Sequence, residues 1–242
     1  MKNIVIVGAS HGIGKALAQE FAKNNNRLFL AARDLNALSE IKNQIKDKAE
    51  IFTLDVVDEN NVKKVLENIL QIDLFIYCAG TYKPMPVNQF DLSEAKKINE
   101  VNFVGALNCL DVVIKKMLAQ KSGHIALVAS VSGYIGLPKS LVYGASKAAL
   151  INLAETLYAE LSHFNINVSV INPGFVKTRL TELNKFTMPA IIGADEAAQI
   201  IIKDLEAKKF EIHFPKRFTF WLKILKVLPY KLMFFFTKKL AK

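Results

Sequence analysis

Tyr143 and Lys147 stand four residues apart in a stretch of helical pattern, so their side chains share one face, one turn from each other. That pairing can do acid–base chemistry. A tyrosine near its ordinary pKa of about 10 is a poor base at neutral pH, but an ammonium one turn away favours the phenolate. Ser130 closes an apolar run that reads as a strand, and its hydroxyl can hydrogen-bond a substrate oxygen beside the phenol; Ser132 is the competing choice. Near the start, Gly8-Ala9-Ser10-His11-Gly12-Ile13-Gly14 follows Ile4-Val5-Ile6-Val7 and runs into a helix. Glycines between a strand and a helix permit a tight turn, close approach of backbone to a pyrophosphate, and close helix–strand packing. The helix N-terminus adds N–H groups and partial positive charge for the phosphates.

Such residues need a frame, and the rest of the chain supplies one. Short apolar runs at 4–7, 28–31, 50–54, 73–77, 124–129, 166–171 and 211–214 alternate with helical patterns at 13–23, 59–70, 92–120, 140–163 and 194–208. Asp34 is placed to cap a further helix carrying Leu35, Leu38, Ile41 and Ile45. Strands that are apolar nearly throughout, alternating with helices, imply a parallel sheet covered on both faces. The expectation is one α/β domain, a Rossmann-like doubly wound sheet of about seven strands, over residues 1–214. A basic, aromatic-rich extension follows over 215–242.

The glycine spacing is Gly-x3-Gly-x-Gly, and with it the chain resembles the short-chain dehydrogenase/reductase family over roughly residues 2–214. Further motifs follow in order: Cys78-Ala79-Gly80 at the end of strand 4, Asn102 in Val101-Asn102-Phe103-Val104-Gly105, and Ser130 thirteen residues before Tyr143. Tyr143-Gly-Ala-Ser-Lys147 matches Tyr-x3-Lys, and Pro173-Gly174 with Thr178 closes the set. The spacing to Tyr143 selects Ser130 over Ser132. The resemblance implies an oxidoreductase interconverting a carbonyl and an alcohol. Tyr143 would protonate the oxygen, Lys147 would also bind the nicotinamide ribose, and Asn102 would hold water in a proton relay. It implies cofactor contacts from Gly8, Ser10, His11, Gly12, Ile13 and Gly14, and from Asp55 (the adenine-binding acid) and Val56. Ala79, Gly80, Tyr143, Lys147, Pro173, Gly174, Val176 and Thr178 complete that set. The chain departs from the family at Tyr77-Cys78, where Asn-Asn is usual and Cys cannot make the same hydrogen bonds. No metal is expected.

The end of strand 2 bears on which dinucleotide. An acid there would accept the ribose 2′-hydroxyl and repel a 2′-phosphate. The sequence reads Ala31-Ala32-Arg33-Asp34, with Ala32 at the acidic position, Arg33 able to pair a phosphate, and Asp34 assigned to the helix cap. NADP(H) is therefore expected over NAD(H).

The formal charge of +10 is concentrated in the tail: residues 208–242 hold ten Lys/Arg against Glu211 alone. Seven aromatics lie within 218–236, with Thr219, Lys223 and Lys226 as a narrow polar stripe and Pro229 as a break. Interrupting lysines and the proline exclude a transmembrane span, and the apolar character argues against nucleic acid. A short apolar helix with aromatic anchors and flanking lysines fits peripheral contact with a membrane through residues 216–242. A pocket cover or an oligomer interface is the alternative. The loop 179–189 (Leu180, Leu183, Phe186, Met188) occupies the family's substrate-loop position and suggests a lipophilic substrate. Cys78 and Cys109 sit in apolar runs as reduced thiols, and Met1-Lys2-Asn3 leads straight into a strand, so a cytoplasmic protein is expected. The resemblance suggests a homodimer or homotetramer through the 92–120 and 140–163 helices. Two other functions compete: a 3-oxoacyl carrier-protein reductase, and a catalytically silent NADP-binding sensor or scaffold at a membrane.

Overall fold

The computed structural model describes residues 1–184 and 187–240. Phe186 of the expected substrate loop and Lys242 of the basic tail lie outside them. Seven parallel strands form one sheet: β1 (Asn3–Val7), β2 (Arg27–Ala32), β3 (Ala49–Thr53), β4 (Leu74–Tyr77), β5 (Gly123–Val128), β6 (Ile166–Pro173) and β7 (Glu211–Phe214). Their spatial order is β3-β2-β1-β4-β5-β6-β7. The connecting helices are α1 (Gly12–Phe21), α2 (Leu35–Ile45), α3 (Glu59–Glu67), α4 (Leu92–Asn99), α5 (Gly105–Gln120), α6 (Leu141–Leu161) and α7 (Ala194–Glu206).

Side-chain alternation along the strands feeds two cores, one on each face. Along β1, Val5 and Val7 join residues of α3, α5 and α6, while Ile4 and Ile6 join those of α1, α2 and α7. All four are fully buried. This explains why the strands lack polar alternation: neither face meets water. The chain direction of winding reverses between β1 and β4, which leaves a crevice at their carboxyl ends.

Two local outcomes matter for the site. Asp34 caps α2 as expected, its Oδ1 accepting from the Ala37 amide at 3.0 Å. The 92–120 segment, expected as helix, is α4 and α5 joined by a π-turn at Glu100–Val104, where the Gly105 amide reaches back to Glu100.

Beyond β7 come α8 (Lys216–Val227) and α9 (Tyr230–Lys239), split at Pro229. No helix among the described residues is long and apolar enough to cross a membrane. The polar stripe of α8 faces inward at Thr219 and Lys223, with Lys226 exposed at its edge. Thr219 is buried beside His213 (Oγ1 to Nδ1 2.6 Å), Lys223 pairs with Glu211, and Lys226 lies over the Tyr134 ring. Leu222 of the same helix joins the core, whereas Phe220 and Trp221 face outward at 58% and 66% exposure.

Candidate active site

The crevice is an open cleft of about 480 Å³. Its walls include Gly8, Ser10, His11, Gly12 and Ile13 from the turn after β1, Arg33 after β2, and Asp55 and Val56 after β3. Ala79 and Gly80 after β4, Ser130 after β5, Tyr143 and Lys147 on α6, Pro173 at the end of β6, and Gly174, Val176 and Thr178 beyond it continue the expected set. Two expected residues lie behind the wall. A Cβ on Gly14 would sit 2.2 Å from the Gly8 carbonyl oxygen, so this glycine serves helix–strand packing. Asn102 is fully buried behind Gly80.

The glycine turn fits a dinucleotide pyrophosphate on its own geometry. Gly8 has φ +88° and a Cβ there would stand 2.5 Å from the Ala79 amide nitrogen, so the first turn and the end of β4 close up only without a side chain. The turn opens straight into α1, whose N-cap, His11, makes no side-chain cap bond, and Gly12 and Ile13 of its first turn line the cleft.

At the other end of the cleft stand the titratable groups. Ser130 lines the cleft with Tyr143 and accepts from the Ser132 amide at 3.1 Å, whereas Ser132 is not part of the cleft wall. Lys147 is buried at 4% exposure, with Nζ donating to the Val128 carbonyl at 2.8 Å and lying 5.7 Å from the Tyr143 ring centre. Burial pushes the Tyr143 phenol up to about 12, and the Ser130 hydrogen bond pulls against it. The acidification expected from Lys147 is not seen: desolvation dominates, and the opposing pull comes from Ser130. The same burial brings the Lys147 ammonium down to about 8. At neutral pH the pair is a protonated phenol beside a destabilised ammonium, and a protonated phenol is a donor.

Asn102 ties three segments together. Its Oδ1 accepts from the Thr81 amide at 2.7 Å, and its Nδ2 donates to the Thr81 carbonyl at 3.1 Å and Ser146 Oγ at 3.0 Å. The loop after β4 is thereby fixed to α6, beside the Tyr143–Lys147 turn.

Sequence reasoning missed Tyr82 and Arg179 as site residues. The Tyr82 ring meets Tyr143 edge-on with centroids 4.8 Å apart, and its hydroxyl donates to Asn184 Oδ1 at 2.8 Å. Arg179 lines the cleft, and its charge acts with burial to hold His11 below the ordinary histidine value. An aromatic next to the Ala79-Gly80-Thr81 turn and a cation next to Thr178 were the available signals. Arg33 itself is exposed on the rim, with Asp34 turned into the α2 cap and 3.8 Å from His11 Nε2. The wall after β6 also meets the tail: Phe175 packs on Phe218 of α8, ring centres 5.6 Å apart.

Comparison with known proteins agrees with this architecture. The short chain dehydrogenase family model matches residues 2–187. An uncharacterized oxidoreductase of Staphylococcus epidermidis is 31% identical over 205 residues, covering 83% of this chain and 89% of that protein. The 3-dehydrosphinganine reductase of Danio rerio is 31% identical over 234 residues, covering 88% of this chain and 70% of that one. Among solved structures, a short chain dehydrogenase from Burkholderia cenocepacia in complex with NADP superposes with a TM-score of 0.87 at 21% identity, covering 100% and 98% of the two chains. The chain belongs to the short-chain dehydrogenase family, as an oxidoreductase built on an NAD(P)-binding fold.

Proposed function

We propose that this oxidoreductase interconverts a carbonyl and an alcohol on a lipophilic substrate, uses NADP(H) in preference to NAD(H), and has Tyr143 as its general acid and base. The convergence of Tyr143, Ser130 and Lys147 in the cleft that opens at the glycine turn carries the reading. When bound, the dinucleotide supplies or accepts the hydride. The glycine turn and the α1 amides hold its phosphates, Asp55 its adenine, and Lys147 its nicotinamide ribose. Ser130 donates to the substrate oxygen and holds it beside the phenol. In the reductive direction Tyr143 gives its proton to that oxygen, and burial keeps the phenol protonated for the purpose. In the oxidative direction the phenolate is needed, and the Lys147 charge and the Ser130 hydrogen bond favour it. Asn102 keeps Thr81 and Ser146 in place around this group and, on the family's pattern, holds water for proton return. Arg33 on the open rim suits a ribose 2′-phosphate, with Asp34 committed to its cap.

The lipophilic substrate rests on the cleft's apolar rim at Leu180, on Tyr82 across Tyr143, and on the likeness to a 3-dehydrosphinganine reductase. Peripheral contact with an anionic cytoplasmic membrane face rests on the outward sides of α8 and α9. Phe220, Trp221, Tyr230, Phe234, Phe235 and Phe236 are exposed there, among Lys216, Arg217, Lys231, Lys238 and Lys239. Residues 216–240 contain no acid. A second copy docking isologously on this face would oppose like charges, whereas an anionic bilayer complements them. A homodimer or homotetramer instead uses the α5 and α6 faces, where Leu107 and Tyr158 are exposed.

The test is cofactor oxidation with NADPH or NADH against ketones and aldehydes of increasing chain length. Turnover should prefer NADPH, improve with chain length and fall roughly 100-fold or more in Tyr143→Phe. Activity that survives Tyr143→Phe unchanged refutes the mechanism. For the membrane, Trp221 is the chain's one tryptophan and a ready reporter. Its emission should shift to the blue with phosphatidylglycerol vesicles, and the shift should weaken in high salt. No shift with anionic vesicles removes the membrane reading.

A further inference from the structure

Tyr77, at the carboxyl end of β4, is fully buried, and its hydroxyl donates to the carbonyl oxygen of Val101 in the π-turn. That carbonyl needs an outside donor for a specific reason. In an unbroken α-helix the Gly105 amide would serve Val101, four residues back. Here that amide reaches Glu100, five back, instead. Val101 is buried at 8% exposure, so its carbonyl has little recourse to water. The Tyr77 hydroxyl takes the place of the displaced amide. Burial holds its pKa well above the ordinary tyrosine value, so it remains a donor. Gly105 makes room for it: a Cβ there would stand 2.7 Å from the Tyr77 hydroxyl oxygen and 2.6 Å from Val56 Cγ2.

The next residue is Asn102, whose amide grips Thr81 and Ser146 beside Lys147. A Cβ on Gly80 would lie 3.4 Å from Asn102 Oδ1 and 3.6 Å from Lys147 Nζ, which shows how closely the two converge. We propose that Tyr77 is a positioning residue of the active site, whose hydroxyl locks the π-turn at Val101 and thereby holds Asn102 against Thr81 and Ser146. Without the hydroxyl, Val101 regains a donor only if the Gly105 amide returns to it. That rewinds the turn toward α-helical register and rotates Asn102 off Thr81. The pairing also gives a purpose to the unusual Tyr77-Cys78: the tie between β4 and its surroundings is made by a phenol reaching across to α5's entrance.

In its kinetic arm this inference rests on the oxidoreductase reading; in its exchange arm it does not. The experiment is Tyr77→Phe in the full chain, read by steady-state kinetics and by amide hydrogen exchange. Loss of one buried hydrogen bond predicts kcat down roughly 3- to 10-fold and a melting temperature lower by a few degrees, with the KM for NADPH nearly unchanged. In an Asn102→Ala background the same change should cost nothing further. Exchange at the Thr81 amide, which Asn102 holds, should quicken by a similar factor. Unchanged Thr81 exchange overturns the proposal, as does faster exchange with undiminished kcat, or additive losses in the double variant. If the wild type turns over no carbonyl at all, the proposed carbonyl–alcohol function fails, and Thr81 exchange alone then decides for or against the lock. Should Tyr77→Phe fold poorly, Gly105→Ala attacks the same bond from the other side and should quicken Thr81 exchange likewise.

Discussion

Replacing Lys147 by methionine should stabilise the protein most at neutral pH and progressively less as the pH rises. The ammonium is buried at 4% exposure, and burial lowers its pKa from 10.5 to about 8. Below pH 8 both folded and unfolded chains carry the charge, and the folded chain bears the full desolvation cost. Between about 8 and 10.5 the unfolded chain keeps a proton that the folded chain has released, so stability climbs with pH. Above that window both states are neutral and the cost is gone. At about 1.4 kcal/mol for each tenfold in proton affinity, the cost is about 3 kcal/mol, of which about 2–3 kcal/mol is recovered between pH 7 and pH 10. Methionine has no such slope. It also lacks the bond to the Val128 carbonyl, a loss that offsets the two curves by a nearly constant amount. The assay is urea unfolding of both proteins at half-unit steps from pH 7 to pH 10, because subtracting one from the other cancels every other titrating group. A difference that stays flat across the range would refute the buried, destabilised ammonium, and with it the electrostatic account of the Tyr143 pair. A charge kept where it costs stability is the mark of a residue retained for function.

Arg33→Asp should reverse the cofactor preference, lowering the ratio of kcat/KM for NADPH over NADH roughly 10- to 100-fold; an unaltered ratio means the exposed guanidinium never meets the 2′-phosphate. Glu211→Gln should cost about 1–3 kcal/mol in denaturant unfolding, because Glu211 accepts from Tyr134, Asn172 and Lys223 together. It should also speed tryptic cleavage at Lys216 and Arg217, and unchanged cleavage would show that the cluster does not hold α8. Burial raises the Glu211 pKa, but the Lys223 and Tyr134 hydrogen bonds outweigh it and hold the carboxyl below its ordinary 4.5. The wild-type anchorage should therefore be complete above pH 4.5 and weaken as the pH falls below it, seen as growing tryptic sensitivity after brief acid exposure.

Much of the frame was legible because its causes are local. Ile4–Val7 is apolar at every position, which only a doubly covered strand tolerates, and Asp34 two residues after such a run has few uses other than a cap. The cleft residues were legible through order and spacing along the chain. What escaped was set by distant partners. Nothing near Val101 signals a π-turn, since its cause, the Tyr77 hydroxyl, lies 24 residues away. Tyr82 became visible only when the fold laid its ring against Tyr143. Even the acidity expected of Tyr143 followed from counting a neighbouring charge, while the burial that reverses its sign depends on the whole fold.

The tail carries the same lesson into how its role has to be tested. Helical spacing grouped Thr219, Lys223 and Lys226 on one side of α8 but gave no indication of which side meets protein. An amphipathic helix standing alone would turn that stripe to water. Glu211 in β7 and the Tyr134 ring draw it inward instead, and so the aromatic residues Phe220 and Trp221 are turned out. Phe218 of the same helix packs on Phe175, and a Cβ on Gly174 of the cleft wall would stand 3.1 Å from the Phe218 ring. Removing the chain from residue 215 onward would therefore strip packing from behind the cleft as well as any membrane-binding face, and lost activity would not separate the two. Exposed substitutions such as Phe220→Ser and Phe235→Ser leave the inward stripe intact. If they abolish vesicle binding while turnover of a short soluble ketone persists, the outward face serves the membrane and the inward face serves the cleft.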